Sequence, residues 1–322
     1  MIFESSSSTG AGLISALASL TGSEIENGIL VFPETFGKGY MKFYDLGRLM
    51  RVMINQVVLN EDITLKRTGA QQGKNEITFS FRNIFPDQNN RQLPSVQVSS
   101  SDIDIEVVAL ANTRINTILI IVHTDLLKDL FNQKNENTLL QNIISGKQPY
   151  LYDEIISAEI QQVAAQIIAA GVPEPMDSFY IKLKAQEMIY LFFVELLKRR
   201  QVAGYSLNAA DVKMMYLIRD KLIEDLGTNP NLSELTRLAN MSESKMNRLF
   251  KQIFGNSIYA YYQLARMIEA AYLIKKEKLS VSEAGYRLGF TNLSHFTRIF
   301  EKHIGLKPKK YAAASISRSD NL

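Results

Sequence analysis

The chain has 322 residues, 46% hydrophobic and 21% charged, so it is long enough for two domains with separate cores and its composition excludes bulk disorder. It contains no Cys and no Trp, which excludes disulfides, thiolate catalysis and cysteine-ligated zinc fingers and fits a reducing compartment. Net charge is +3 but uneven: from Ala209 onward 18 Lys and Arg face 11 Asp and Glu, whereas the preceding residues hold 18 against 22. A basic C-terminal third after an acidic remainder is the footprint of a nucleic-acid-binding module.

No apolar run approaches the roughly 18 residues of a membrane span. The apolar patch at 13–20 follows Glu4 and a Ser run rather than Lys or Arg, so it is not a secretory signal, and a cytoplasmic location with no membrane partner is expected.

Residues 1–28 are rich in Ser and Gly, and Leu13, Ile14, Leu17 and Leu20 stand at helical spacing. They read as an N-terminal arm that docks a single helical turn. From 29 to 123 the period changes towards two. Candidate strands are 29–32, 40–46, 49–59, 62–68, 76–85, 95–99, 102–109 and 115–123, with turn residues such as Gly37, Gly39, Asn60 and Asn112 between them. Eight short strands separated by turn chemistry predict a sandwich or barrel. Alternation is clearest where Ile77, Phe79 and Phe81 interleave with Thr78, Ser80 and Arg82. The apolar set faces a core, and its aromatics, with Tyr44 and Arg51, are candidate effector-binding residues: Tyr44, Arg51, Phe79 and Phe81. Core packing explains the aromatics more simply.

Helical spacing follows. Thr124 reads as an N-cap for a helix over 125–131, and further helices are expected at 137–144 and 153–170. The longest, 178–200, is apolar nearly all round and should be buried on two sides. One side can cover the barrel; the other is either a homodimer surface or a wholly intradomain contact. Residues 201–210, with Gly204 and no periodicity, read as a linker, and 211–226 resumes a helix.

Residues 232–311 then carry one pattern twice: a short amphipathic helix, a tight turn and a second amphipathic helix. The offset is 49 residues from Leu232 to Val281 and 50 from Met246 to Phe296, so the second turn is one residue longer. In the first copy Leu235, Leu238 and Met241 form the expected buried stripe, with Asn240 in the turn where the second copy has Gly289. Both residue types tolerate left-handed backbone. Thr236 and Gly285 supply small side chains at the closest helix approach, and Ser242 and Thr291 are placed as caps of the second helices.

Such units present a recognition helix to the DNA major groove. Met246, Leu249, Phe250 and Ile253 share its inner face, leaving Ser244, Lys245, Asn247 and Arg248 outward as candidate base readers. In the second copy Phe296, Ile299, Phe300 and His303 face in, and Ser294, His295 and Arg298 are the corresponding readers. Arg248 and Arg298 can each grip guanine O6 and N7, worth roughly 1–3 kcal/mol of discrimination. Ser242, Lys251, Thr291 and Lys302 are placed for phosphates. Two such patterns with matched arginines in the basic region leave little room for a merely solvated helical face.

On these residues the chain resembles the AraC/XylS family of transcription regulators over about 209–311. The resemblance rests on Gly289-Phe290, Phe296 and Phe300 four apart, Gly305, Pro308 with Tyr311, and the connecting segment 258–276 with Arg266 and Ala270-Ala271-Tyr272-Leu273. It implies a long connecting helix setting two recognition helices about 34 Å apart on one DNA face. Ala284-Gly285 and Thr236 depart from the family's usual Ile-Ala and Ala. Phe32-Pro33-Glu34-Thr35-Phe36-Gly37-Lys38-Gly39 is similar to the siderophore-responsive, pyochelin-regulator-like branch. The resemblance implies a cupin-like N-terminal barrel followed by dimerising helices, a small-molecule effector, double-stranded DNA and RNA polymerase as partners, and activation as the usual outcome.

No cofactor or catalytic set is expected. His123 is the only histidine of the strand region, so a multi-histidine metal site cannot be built there, and there is no phosphate-binding glycine pattern. The expected fold class is α+β, divided into an arm at 1–28, a sensing and dimerisation domain at 29–200 (barrel 29–123, helices 124–200), a linker at 201–210, a DNA-binding domain at 211–312 and a tail at 313–322. An effector-independent regulator, whose N-terminal domain binds another protein, is the alternative.

Overall fold

The computed structural model describes residues 2–5, 10–67, 75–85, 93–101, 103, 105–131, 138–145, 150–173, 175–198 and 207–316. The chain divides into two compact units, Met1–Ala209 and Ala210–Leu322. Among the described residues the first mixes strands and helices, and every regular element of the second is a helix.

In the first unit the elements run β1 (Ile2–Ser5), α1 (Gly10–Thr21), β2 (Ile25–Glu26), β3 (Ile29–Val31), β4 (Gly37–Asp45), β5 (Met50–Leu59), β6 (Ile63–Arg67), β7 (Glu76–Arg82), β8 (Ser95–Ser100), β9 (Ile105–Ala109), β10 (Arg114–His123), α2 (Thr124–Leu130), α3 (Thr138–Ser145), β11 (Leu151–Ile155), α4 (Ala158–Ile168) and α5 (Met176–Leu197). Eight strands form one sheet in the order β11-β8-β7-β10-β5-β4-β3-β2, and β1-β6-β9 form a second. Among the described strands the larger sheet stays open from β11 to β2. Of the sandwich or barrel expected from eight short strands, the barrel is therefore corrected: the strands form two sheets and the larger does not close on itself. Every pairing is antiparallel except β1 with β6.

Directly paired residues share a face, so the register sorts the side chains. One face carries Ile77, Phe79, Phe81, Val96, Val98, Ile118 and Ile120, all buried against α4 and α5. The Phe79 ring meets Phe192 edge-on at 5.5 Å and Phe193 at 6.0 Å. Full burial of each such ring contributes about 1.5–3 kcal/mol. The other face is apolar at one end, where Met41, Met53 and Val57 pack under Ile14, Leu17 and Ala18 of α1. At its other end it is polar: Thr78, Ser95, Gln97, Ser99 and Asp153 are buried, and Arg82 pairs with Asp153. Segment 1–28, expected as an arm with one helical turn, thus contains β1 and a 12-residue helix that closes a core.

Local chemistry moves several boundaries. Residues 153–155 belong to β11, because the hydroxyl of Ser157 accepts from the Ile160 N–H and starts α4 there. The cap of α2 is His123 rather than Thr124: its Nδ1 accepts from the Asp125 N–H at 3.3 Å. Helix α5 buries Ile181, Ala185, Met188, Ile189, Phe192, Phe193 and Leu196 on one side.

The second unit contains α6 (Ala209–Glu224), α7 (Leu232–Ala239), α8 (Glu243–Phe254), α9 (Ile258–Lys275), α10 (Val281–Arg287), α11 (Leu293–Ile304) and α12 (Pro308–Ile316). Its axis is α9, 18 residues or about 27 Å long. Towards one end Tyr261 packs 5.5 Å from both Phe250 and Phe254. Towards the other, Met267, Ala270, Leu273 and Ile274 join Phe290, Phe296 and Phe300 in one cluster. No helix among the described residues is long and apolar enough to cross a membrane.

Candidate nucleic-acid interface

Both helix–turn–helix units are built by the same local rules. Asn231 caps α7 by accepting from the Ser233 and Glu234 N–H groups, and Ser280 forms a full capping box with Glu283 on α10. The Glu283 carboxyl is held below the ordinary glutamate range by the Ser280 hydroxyl and backbone N–H. Each turn closes with matching backbone bonds: Met241 N–H to Thr236 O at 3.2 Å, and Phe290 N–H to Gly285 O at 3.0 Å. These 6→1 bonds require a left-handed residue, supplied by Asn240 at φ 49° and Gly289 at φ 74°.

The second turn is the more constrained. A Cβ on Gly289 would stand 1.9 Å from the carbonyl oxygen of Gly227, in the loop between α6 and α7. That loop is itself held by the Tyr262 hydroxyl, which donates to Thr228 O at 2.7 Å and Leu226 O at 3.1 Å. Arg266, only 4% exposed, stacks its guanidinium 4.0 Å over the Phe290 ring and donates to Leu288 O. Burial holds its pKa below the usual arginine value. One side chain of α9 thus fixes the second turn.

The recognition helices are α8 and α11. Ser242 caps α8 through the Lys245 N–H at 3.3 Å. The cap of α11 is Asn292, accepting from the His295 N–H at 3.0 Å, so the capping role expected of Thr291 is corrected. The extra turn residue displaces the cap by one position, and the 50-residue offset from Ser242 lands on Asn292. In the scaffold helix Leu235 and Ala239 are buried, whereas Leu238, expected in that stripe, is 41% exposed.

The reading faces follow. Ser244, Arg248 and Lys251 are exposed on α8, with Lys245 and Asn247 half-buried beside them. Ser294, His295, Arg298 and Lys302 are exposed on α11, as is Thr291 before it, and Asn292, Ser294, His295 and Arg298 line one surface depression. Inside, Met246, Leu249, Phe250, Ile253, Phe296 and Phe300 are buried. His303 is half-buried, and burial, then Lys302, keeps its imidazole pKa below the usual value. Lys245, expected as a base reader, is engaged within the domain: its ammonium lies 3.2 Å from the carboxylate of Asp211 on α6. Sequence reasoning missed Asp211 and Asn292. The repeat offset signals the second; nothing in the sequence signals the first, which depends on how α6 crosses α8.

The four candidate effector residues are not brought together. Tyr44, Phe79 and Phe81 share the face packed into the helix-covered core, whereas Arg51 lies on the opposite face and pairs with Glu76. The Tyr44 hydroxyl donates to Asp177 at 3.0 Å beside the Lys42 ammonium at 2.8 Å, and burial pushes its pKa up to about 12. This cluster ties β4 to the start of α5.

Residues 235–314 match the family model of a helix–turn–helix domain. The chain is 26% identical over 131 residues to the HTH-type transcriptional activator RhaR of Enterobacter sp. (strain 638), covering 39% of this chain and 46% of that protein. The C-terminal unit is an AraC-type helix–turn–helix domain. The arabinose operon regulatory protein of Salmonella typhimurium (strain LT2) is 25% identical to this chain over 165 residues, covering 50% of this chain and 56% of that protein. The chain thus spans about half the length of the curated relatives it matches. The solved DNA-binding domain of AdpA, in complex with a target DNA, is similar over 34% of this chain and 97% of that chain, with 23% identity and a TM-score of 0.31. In the AraC-type domain of this chain, α7–α8 and α10–α11 are the two helix–turn–helix units and α9 is the connecting helix.

Proposed function

We propose that the protein is a sequence-specific DNA-binding transcription regulator of the activator kind, placing α8 and α11 in successive major-groove segments of double-stranded DNA. One observation carries this reading: two independently capped recognition helices at either end of α9 expose Arg248 and Arg298 at equivalent positions, among Ser, Asn and His side chains. Ser244, Lys245, Asn247, Arg248, Ser294, His295 and Arg298 would read base edges, and Ser242, Lys251, Thr291 and Lys302 would meet phosphates. Replacing both Arg248 and Arg298 by Ala should abolish specific binding while leaving salt-dependent non-specific binding. A binding titration on selected against scrambled duplexes checks this; retained site preference would refute their role.

The same reading assigns 29–200 to sensing and dimerisation, 201–210 to a linker, 211–312 to DNA binding, and RNA polymerase as the partner at promoters. Its modulator would be a small molecule in the first unit. The aromatics Tyr44, Phe79 and Phe81 are already used by the core.

A homodimer through α5 is supported by its exposed stripe. Met176, Leu183, Tyr190 and Leu197 recur every seven residues with Phe179 beside them, each at least 42% exposed. That is the spacing of a helix–helix seam. The double variant Leu183→Glu with Tyr190→Glu should be monomeric by sedimentation at concentrations where the wild type is dimeric; an unchanged mass would remove this interface. The same stripe favours the second reading of the first unit, an effector-independent interaction module.

A further inference from the structure

The two recognition helices differ in how their early cations are held. Lys245 lies in the first turn of α8, on the flank between its buried and outward faces. Its ammonium reaches the carboxylate of Asp211 at 3.2 Å, and the two side chains are 42% and 13% exposed. The equivalent position of α11 is His295, exposed, with its ring 6.0 Å from that of Phe290.

A carboxylate this deeply placed needs a cation or hydrogen-bond donors around it. The lysine stem is flexible, and its ammonium can turn from a flank position towards a groove. Phosphate oxygens or guanine O6 and N7 would then compete with Asp211 for the same charge. We propose that Asp211 is a positioning residue that withholds Lys245 from DNA. The first recognition helix then approaches DNA with its flanking cation already neutralised. Lys245 joins the contact only when the complex supplies enough other interactions to open the pair. When it does, the buried Asp211 carboxylate gives up that ammonium, and this cost offsets part of the gain, so the net ion release from this contact is smaller than for an unpaired lysine. Weak, non-cognate complexes lose most by this arrangement, which makes Asp211 a device for contrast between sites.

This inference rests on the DNA-reading role proposed above. The test uses the full chain and a duplex recovered by selection from a random-sequence pool with the wild-type protein, titrated by fluorescence anisotropy over a range of salt. Asp211→Asn should bind about three- to tenfold tighter at low salt, with a log–log salt slope steeper by about 0.9, the value for one added phosphate contact. The gain should vanish in the Lys245→Ala background. Independently, Lys245→Ala alone should lower the wild-type slope by less than Lys251→Ala on the same helix, which should lower it by about 0.9. The second comparison decides the matter if Asp211→Asn does not fold. Unchanged or weaker binding by folded Asp211→Asn, a gain that persists without Lys245, or equal slope losses for Lys245→Ala and Lys251→Ala would each overturn the proposal. Failure of the wild type to select any duplex would instead overturn the DNA-reading role itself.

Discussion

The two helix–turn–helix units share caps, turn bonds and a matched arginine, yet they are constrained differently. In the first, Asn240 takes the left-handed conformation in the open, exposed to solvent. In the second, Gly289 takes it against the Gly227 carbonyl, beneath a turn that Arg266 also holds. The same backbone geometry is thus a local preference in one unit and a tertiary requirement in the other. Charge diverges as well: the position of Lys251 on α8 is filled by Glu301 on α11. On the proposed DNA-reading role, Lys251 would attract backbone phosphate at the position where Glu301 would repel it.

The largest effect should come from the turns. Gly289→Ala adds a Cβ both at positive φ and inside van der Waals contact of a backbone oxygen, and should cost on the order of 3 kcal/mol or more. Asn240→Ala meets only the conformational penalty, roughly 1–2 kcal/mol. Thermal unfolding of the two variants reads the difference directly, and equal losses would show that the turns are equivalent after all.

This contrast also marks what the sequence made legible. The 49- and 50-residue offsets located both units, their inner faces and the residues of both turns, since each depends on spacing along one or two helices. The offsets also contained the cap at Asn292, because the inserted turn residue had to move it. Leu238 reads as a stripe residue by period, but a short helix packed along one side buries Ala239 instead. Strand positions were mostly visible from alternation. Their order was not, because β10 sits between β5 and β7 and no local pattern encodes that pairing. Phe79 and Phe81 suit a ligand as well as a core by residue type, with the core the simpler reading, and it is the packing of α5 in the same cluster that uses them as core. The Asp211–Lys245 pair joins residues 34 positions apart on separate helices, beyond any motif.

Smaller effects sharpen the electrostatic half of the comparison. Lys251→Gln should reduce the salt slope of DNA binding by about 0.9. Glu301→Gln should change affinity in the opposite direction, since it removes a like charge from a surface approaching phosphate. Both readouts come from titrations at several salt concentrations. A loss of slope in both variants would contradict this charge contrast between α8 and α11.

If α8 and α11 read different bases in one asymmetric site, binding-site selection from a random pool with wild type, Arg248→Ala and Arg298→Ala should recover a non-palindromic wild-type site per chain. Each variant should relax preference, by roughly 1–3 kcal/mol, in only one of two clusters about 10 base pairs apart. Relaxation of the same cluster by both variants, or an unchanged site in either, would contradict it.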